Sequence, residues 1–244
     1  MHILKASLMI LALFVCGLTA QAQAKSKIKQ ESTVDFPTLG KLRVQVIESG
    51  KSSKVIFKSG TRDKIVNLFS PVKNRPGARW PIFKAAFNEA LYFKVGSIAG
   101  VPGPLIFISK VYRGADHCGF KTDVVGEVAG RLRLLTNKPF ETDDMGGMLA
   151  GDLGHQEGQG VAVWSFIWGS DESHFGEHRY RFELHKYDAR QNHFVKTKTL
   201  NSQQKYSRGE DAAKELRLPS QNFLSACGEL FDDSETLHIN PKNK

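Results

Sequence analysis

His174-Phe-Gly-Glu-His178 sets two imidazoles and a carboxylate in the order H-x-x-E-H. On a helix, that spacing turns both histidines toward one zinc ion and brings the glutamate to the metal-bound water, which is the equipment for metal-assisted hydrolysis. The surrounding residues do not favour a helix: Gly176 lies inside the string, Gly-Ser-Asp-Glu-Ser precedes it, and Arg179–Tyr187 alternates at strand period. Two readings stand, a zinc site built on His174, Glu177 and His178, or a chance string in a loop that enters a strand. His117 beside Cys118 is a second candidate, because a neighbouring imidazole lowers a thiol pKa. With a leader removed, however, Cys118 and Cys227 are the remaining cysteines, and an even pair in an exported protein reads as a disulfide. Closing a loop of that length stabilises by about 4–5 kcal/mol in the chain-entropy model. Asp116 and His117 recur in kind as Asp171, Glu172 and His174. Such residues either line a polar ligand groove or satisfy the backbone of turns. The chain contains no Gly-x-Ser-x-Gly elbow, phosphate loop or dinucleotide fingerprint.

Lys5, the apolar run Ala6–Leu18 and the small-x-small steps Ala20-Gln-Ala22 and Ala22-Gln-Ala24 have the layout of a cleaved secretory leader. The run is shorter than the roughly 20 residues needed to cross a bilayer, so residues 1–24 are expected to be removed. The mature protein is then exported, periplasmic or extracellular, and not an integral membrane protein. The formal charge of +9 is unevenly placed. From Lys25 to Lys94 there are 15 Lys or Arg against 5 Asp or Glu, whereas the remainder holds 18 against 20. A basic N-terminal half suits an anionic surface or polysaccharide, or serves simply as a solvated face.

The stretch from Gly151 to His178 is the centre of the pattern. Gly151–Gly160 reads as a glycine-rich turn, and Val161–Trp168 is an uninterrupted apolar run. At strand period, Val161, Val163 and Ile167 share one face, while Ala162, Trp164, Phe166 and Trp168 share the other. A strand apolar on both faces belongs inside a sheet that is covered on both sides. Upstream, Lys25–Ser32 is polar and is expected to be a loose arm, the basic segment 25–40 preceding the domain. Lys41–Glu48, Lys54–Lys58 and Lys64–Phe69 then read as a three-stranded meander. After Pro81, the residues Ile82, Phe83, Ala86, Phe87, Ala90 and Leu91 recur at helical spacing and predict a short helix. Gly209–Leu218 predicts another, ending before Pro219.

Two segments near 92–136 and 147–200 share one order: turn, buried strand, turn, hairpin. Leu105–Val111 corresponds to Val161–Trp168, the hairpin Val124–Val128/Arg131–Leu135 to Arg179–Tyr187/His193–Leu200. Gly151-Asp-Leu, the glycine-rich loop, Val161-Ala-Val-Trp164, and the later Tyr180-Arg-Phe-Glu-Leu-His-Lys-Tyr-Asp188 with Phe194-Val-Lys196 resemble the FG-GAP or VCBS type of β-propeller repeat. The resemblance covers about half the chain, and the second copy is the closer to pattern. It implies propeller-like blades and a calcium loop with Asp or Asn at alternate positions. Here those positions hold Asp152, Gly154 and Gln156, with Glu157 off the alternation, so a single anionic ligand is in register. The first copy, with Ser97, Gly100 and Pro102, has none.

The expected fold is mainly β. It comprises small stacked antiparallel sheets, an N-terminal meander plus two propeller-like repeats, with short helices, in one domain over 41–244 with a partly helical tail. The expected function is a non-catalytic, exported binding or envelope-associated module with an anionic-surface or protein partner and no cofactor. The alternative is a metal-dependent hydrolase using His174, Glu177 and His178 with zinc; calcium at Asp152 is a separate expectation, tied to the repeat loop.

Overall fold

The structure is a computed structural model that describes residues 26–49, 52–59, 64–65, 84–85, 89–113, 118–142, 146–154, 156–170, 172–173, 176–219 and 224–225. The fold is mainly β, built of three small antiparallel sheets. The first contains β1 (Lys27–Phe36), β2 (Gly40–Ser49) and β3 (Ser52–Ser59), with the two-residue strands β4 (Lys64–Ile65) and β5 (Lys84–Ala85) sharing the far edge of β3. The second runs β6 (Glu89–Gly96), β7 (Leu105–Arg113) and β8 (Cys118–Val128). The free edge of β8 is divided between β9 (Arg131–Leu134) and β10 (Phe140–Thr142). The third contains β11 (Gly147–Asp152), β12 (Gln159–Ile167), β13 (Arg179–Asp188) and β14 (His193–Asn201), with β15 (Leu224–Ser225) beyond β11. The helix α1 (Gly209–Glu215) follows the third sheet. Each sheet is an up-and-down meander, and the described strands form no closed barrel.

The sheets stack because strands of the second and third present apolar side chains in both directions. Ile106, Ile108 and Val125 of the second sheet pack with Val44, Val46, Val55 and Phe57 of the first. The alternate residues Leu105, Phe107, Phe120 and Val124 pack with Met148, Val161 and Val163 of the third. On its far face the third sheet sends Ala162, Trp164, Phe166, Tyr180 and Phe182 against Ala212 and Ala213 of α1. The two-faced pattern of Val161–Phe166 therefore has its cause in the layers, β12 being central in its sheet and covered on both sides, whereas Trp168 lies beyond the strand and is 39% exposed.

Both hairpins fall where the sequence puts them. The β8–β9 turn is the pair Ala129-Gly130, with φ of 51° and 70°. Two successive positive φ angles are what a two-residue hairpin needs to match strand twist. The meander over Lys41–Lys58 appears as β2 and β3, Lys64–Ile65 as β4, and the helix after Arg208 as α1; Val66–Phe69 lies outside the described residues.

Two expectations change. The polar segment after Lys25 is not a loose arm: Lys27–Phe36 is strand β1, paired with β2 along its length except for a bulge at Lys29. Its tail, Val34 and Phe36, fills the core between the first two sheets, and its charged head is carried as a protected edge. Gln30 fixes that head by donating from Nε2 to the Phe93 carbonyl at 2.7 Å and accepting from the Phe93 amide at 2.9 Å. The helix expected after Pro81 is likewise absent from its described residues: Lys84–Ala85 pairs with β3, and Glu89–Gly96 is a strand. Leu91 and Phe93 are needed at alternate positions in the first core, so burial at period two overrides the helical spacing.

Candidate functional site

A groove of about 470 Å³ opens where the second and third sheets part. Across the face of the third sheet that looks at the second, one row runs from Ala150 through Val161 to His185 and Lys196, and the next from Met148 through Val163 to Glu183. The apolar end of each row lies under the second sheet. The polar end does not, because the second sheet finishes there in the three-residue strand β10. The floor of the groove is Val163, Phe140 and Phe194, and Asn137 and Lys138 stand on the opposite wall. The two walls are tied at one end, where the Phe194 amide donates to the Leu135 carbonyl at 2.7 Å in a parallel bridge between Thr136 and Phe194.

His185 is the centre of this arrangement. The register of β13 on β14 slips between Leu184 and His185, and the unpaired Thr197 donates its hydroxyl to the Leu184 carbonyl. Such bulges bend a strand and re-aim the side chain beside them. The His185 ring lies 4.8 Å from the Phe140 ring and its side chain is 15% exposed. Its Nε2 is 3.9 Å from Glu183 Oε2, too far for a hydrogen bond, and the ring makes no hydrogen bond to a described residue. Glu183 accepts instead from Lys196 Nζ at 3.1 Å. His193, on the other side, has Nδ1 at 3.1 Å from the Gln191 carbonyl and Nε2 at 2.7 Å from Asn137 Nδ2. The carbonyl requires a proton on Nδ1, so Nε2 accepts from the amide.

Burial pushes the His185 pKa below its ordinary 6.5; the Glu183 carboxylate pulls it back up and the Lys196 ammonium lowers it further. The ring is neutral at pH 7, with one nitrogen to donate and one to accept. An imidazole titration followed by NMR should therefore show His185 protonating below 6.5. Glu183→Gln should move the midpoint down and Lys196→Ala up, because each removes one of the opposed charges. A midpoint at or above the ordinary value would contradict the described burial.

The H-x-x-E-H string is not on a helix: Gly176 lies in a bend, and His178 bridges to Tyr206 immediately before β13. His178 is fully buried, with Nδ1 3.0 Å from Glu172 Oε2 and Nε2 2.9 Å from the Ser173 carbonyl. Both ring nitrogens are thus occupied. The ring stacks on Phe166 at 4.0 Å and meets Trp168 edge-on at 4.8 Å. Glu172 also takes the Gly169 amide at 2.9 Å and Lys205 Nζ at 2.7 Å. The Lys205 bond first, then the Gly169 and His178 bonds, hold its carboxyl at about 2. Of the zinc candidates, His178 faces inward, Glu177 is exposed and His174 lies outside the described residues.

Asp116, His117, Asp171 and Cys227 also lie outside the described residues, as does the Cys118 side chain, although Cys118 opens β8. Asp152 accepts the Gly154 amide at 2.9 Å, an Asx turn, and Glu157 pairs with Lys198 at 2.6 Å. Among the described residues no three His, Cys, Asp or Glu side chains gather as a metal site. The groove residues His185, Glu183, His193, Lys196 and Asn137 escaped the sequence reading. Their signal was present in Arg181, Glu183 and His185, which alternate with Phe182 and Leu184. No family model matches the chain, and no curated protein or solved structure matches it either.

Proposed function

We propose that this chain is an exported, non-catalytic binding or envelope-associated module whose ligand site is the groove between the second and third sheets. The observation that carries this reading is His185: a neutral imidazole, mostly buried, without a hydrogen-bond partner among the described residues, and aimed by a bulge at the groove. Its ring nitrogens are not among the fully buried polar atoms and open onto the groove, where a ligand that donates and accepts can pair with them. The groove volume of about 470 Å³ falls within the span of about 300–1,000 Å³ usual for small-ligand sites. Export rests on the leader pattern of residues 1–24, and the non-catalytic part on the lack of a nucleophile motif in the sequence. The like strand order of the three meanders supports kinship with FG-GAP or VCBS repeats. A thermal-shift screen of the mature protein against small-molecule and glycan libraries tests the reading. Ligands that raise Tm in the wild type and fail to do so in His185→Phe support it; hits indifferent to that change oppose it.

A second contact has its own observation. On the first sheet Arg43 and Lys58 stand directly opposite each other across β2 and β3, with Lys54 exposed on the same face. A sheet face that carries Arg43, Lys54 and Lys58 attracts an anionic surface or polysaccharide, or an acidic face of a protein partner. Heparin binding that weakens with salt and with Lys54→Ala supports this contact. The hydrolase alternative, with zinc on His174, Glu177 and His178, is decided by elemental analysis of protein purified without chelators.

A further inference from the structure

We infer that the ligand of the groove is a neutral oligosaccharide, a proposal that rests on the groove being the binding site and adds the class of molecule it takes. The polar wall is compensated from within. Glu183 and Lys196 neutralise each other at 3.1 Å, His185 is uncharged, and His193 is held by Asn137 and the Gln191 carbonyl. Two further charges stand on the exposed rim: Glu141, which is compensated by Lys121 Nζ at 2.6 Å, and Lys138. A carboxylate or phosphate ligand gains most from an arginine fork or a helix N-terminus, and the described groove residues include neither. A cation would have to compete with Lys196 for Glu183. An extended peptide needs a continuous run of free strand edge, and at the groove the edge of β14 is interrupted by the bond from the Phe194 amide to Leu135. A purely apolar ligand would strip water from Glu183, His185 and Lys196 and return no hydrogen bonds.

A chain of pyranose rings meets each of these conditions. Its hydroxyls both donate and accept, so one ring can give a hydrogen bond to Glu183, take one from Lys196, and do either with the neutral His185. His185 and Lys196 are directly opposite each other on one sheet face, where side chains start about 4.5–5.5 Å apart, and Glu183 is the next residue of β13 on that face. The C–H face of the same ring suits the floor of Val163, Phe140 and Phe194. Being open to solvent, the groove admits a segment of a longer chain.

The mature protein is titrated with maltotriose, cellotriose, tri-N-acetylchitotriose and trigalacturonate while the His185 ring resonances are followed, alongside an array of neutral glycans. At least one neutral glycan should shift His185, and Glu183→Gln and Asn137→Ala should each weaken that binding tenfold or more, whereas Lys214→Ala, on the exposed face of α1, leaves it unchanged. Binding confined to trigalacturonate, or neutral-glycan binding indifferent to both groove variants, overturns the proposal. If a non-sugar fragment shifts His185 and no glycan does, the ligand class falls and the binding role stands. If no glycan or library compound shifts it, both fall.

Discussion

Replacing His178 by alanine should destabilise the fold by about 3–5 kcal/mol, the range for truncating a fully buried ring and leaving its cavity. The ring bonds Glu172 and the Ser173 carbonyl at once and fills the space between Phe166 and Trp168. Alanine leaves the carbonyl without that donor, takes one of three donors from Glu172 and opens a cavity under two aromatic rings. The effect should appear in denaturant unfolding at pH 7 and should not respond to added zinc, because His178 spends both nitrogens on the protein. A stability unchanged by the substitution would contradict the described packing, and stabilisation by added zinc in the wild type that is absent in the variant would return the metal reading. Glu172 adds a pH signature. Its carboxyl titrates at about 2 in the fold against an ordinary 4.5. Its contribution is therefore complete above the ordinary value and fades as pH falls from there toward 2. Glu172→Gln should flatten the acid limb of stability over that window.

The second large effect concerns β12. Ala162→Asp and Val163→Asp should each destabilise by more than about 4 kcal/mol or prevent folding, since each buries an unpaired charge. The two residues are adjacent and point to opposite faces, Ala162 toward α1 and Val163 toward the second sheet, and are 0% and 5% exposed. A strand in an ordinary half-solvated sheet tolerates one such change and fails with the other. Failure with both distinguishes the layered fold, and urea midpoints of the two soluble variants measure it; a near-native midpoint for either would remove one covering layer.

What could be read from the chain follows from how each residue earns its place. Val161–Phe166 was legible because its two apolar faces require two covering layers whatever the details. Ala129-Gly130 was legible because a two-residue turn has few sequence solutions. β1 was not, because its first half is polar and is held in place by contacts made elsewhere, chiefly Gln30 on the Phe93 backbone. Glu89–Gly96 misled because Ala90 and Leu91 fit a helical stripe as well as a strand, and the decision lies with the core that Leu91 and Phe93 complete. In the same way His178 drew attention by its neighbours in sequence, whereas its actual partners are an aromatic pocket and Glu172. The groove was hidden for a geometric reason. Glu183 and His185 are an ordinary polar alternation in sequence, and they acquire meaning only where β10 stops short of covering them.

The most direct test of the groove as the ligand site is backbone amide shift mapping of the protein lacking residues 1–24 with an uncharged ligand that raises its Tm. The account predicts perturbations concentrated at Asn137, Lys138, Glu183, His185, Phe194 and Lys196, with the outer face of the first sheet unmoved. Perturbations centred on Arg43, Lys54 and Lys58, with His185 and Lys196 unchanged, would contradict it.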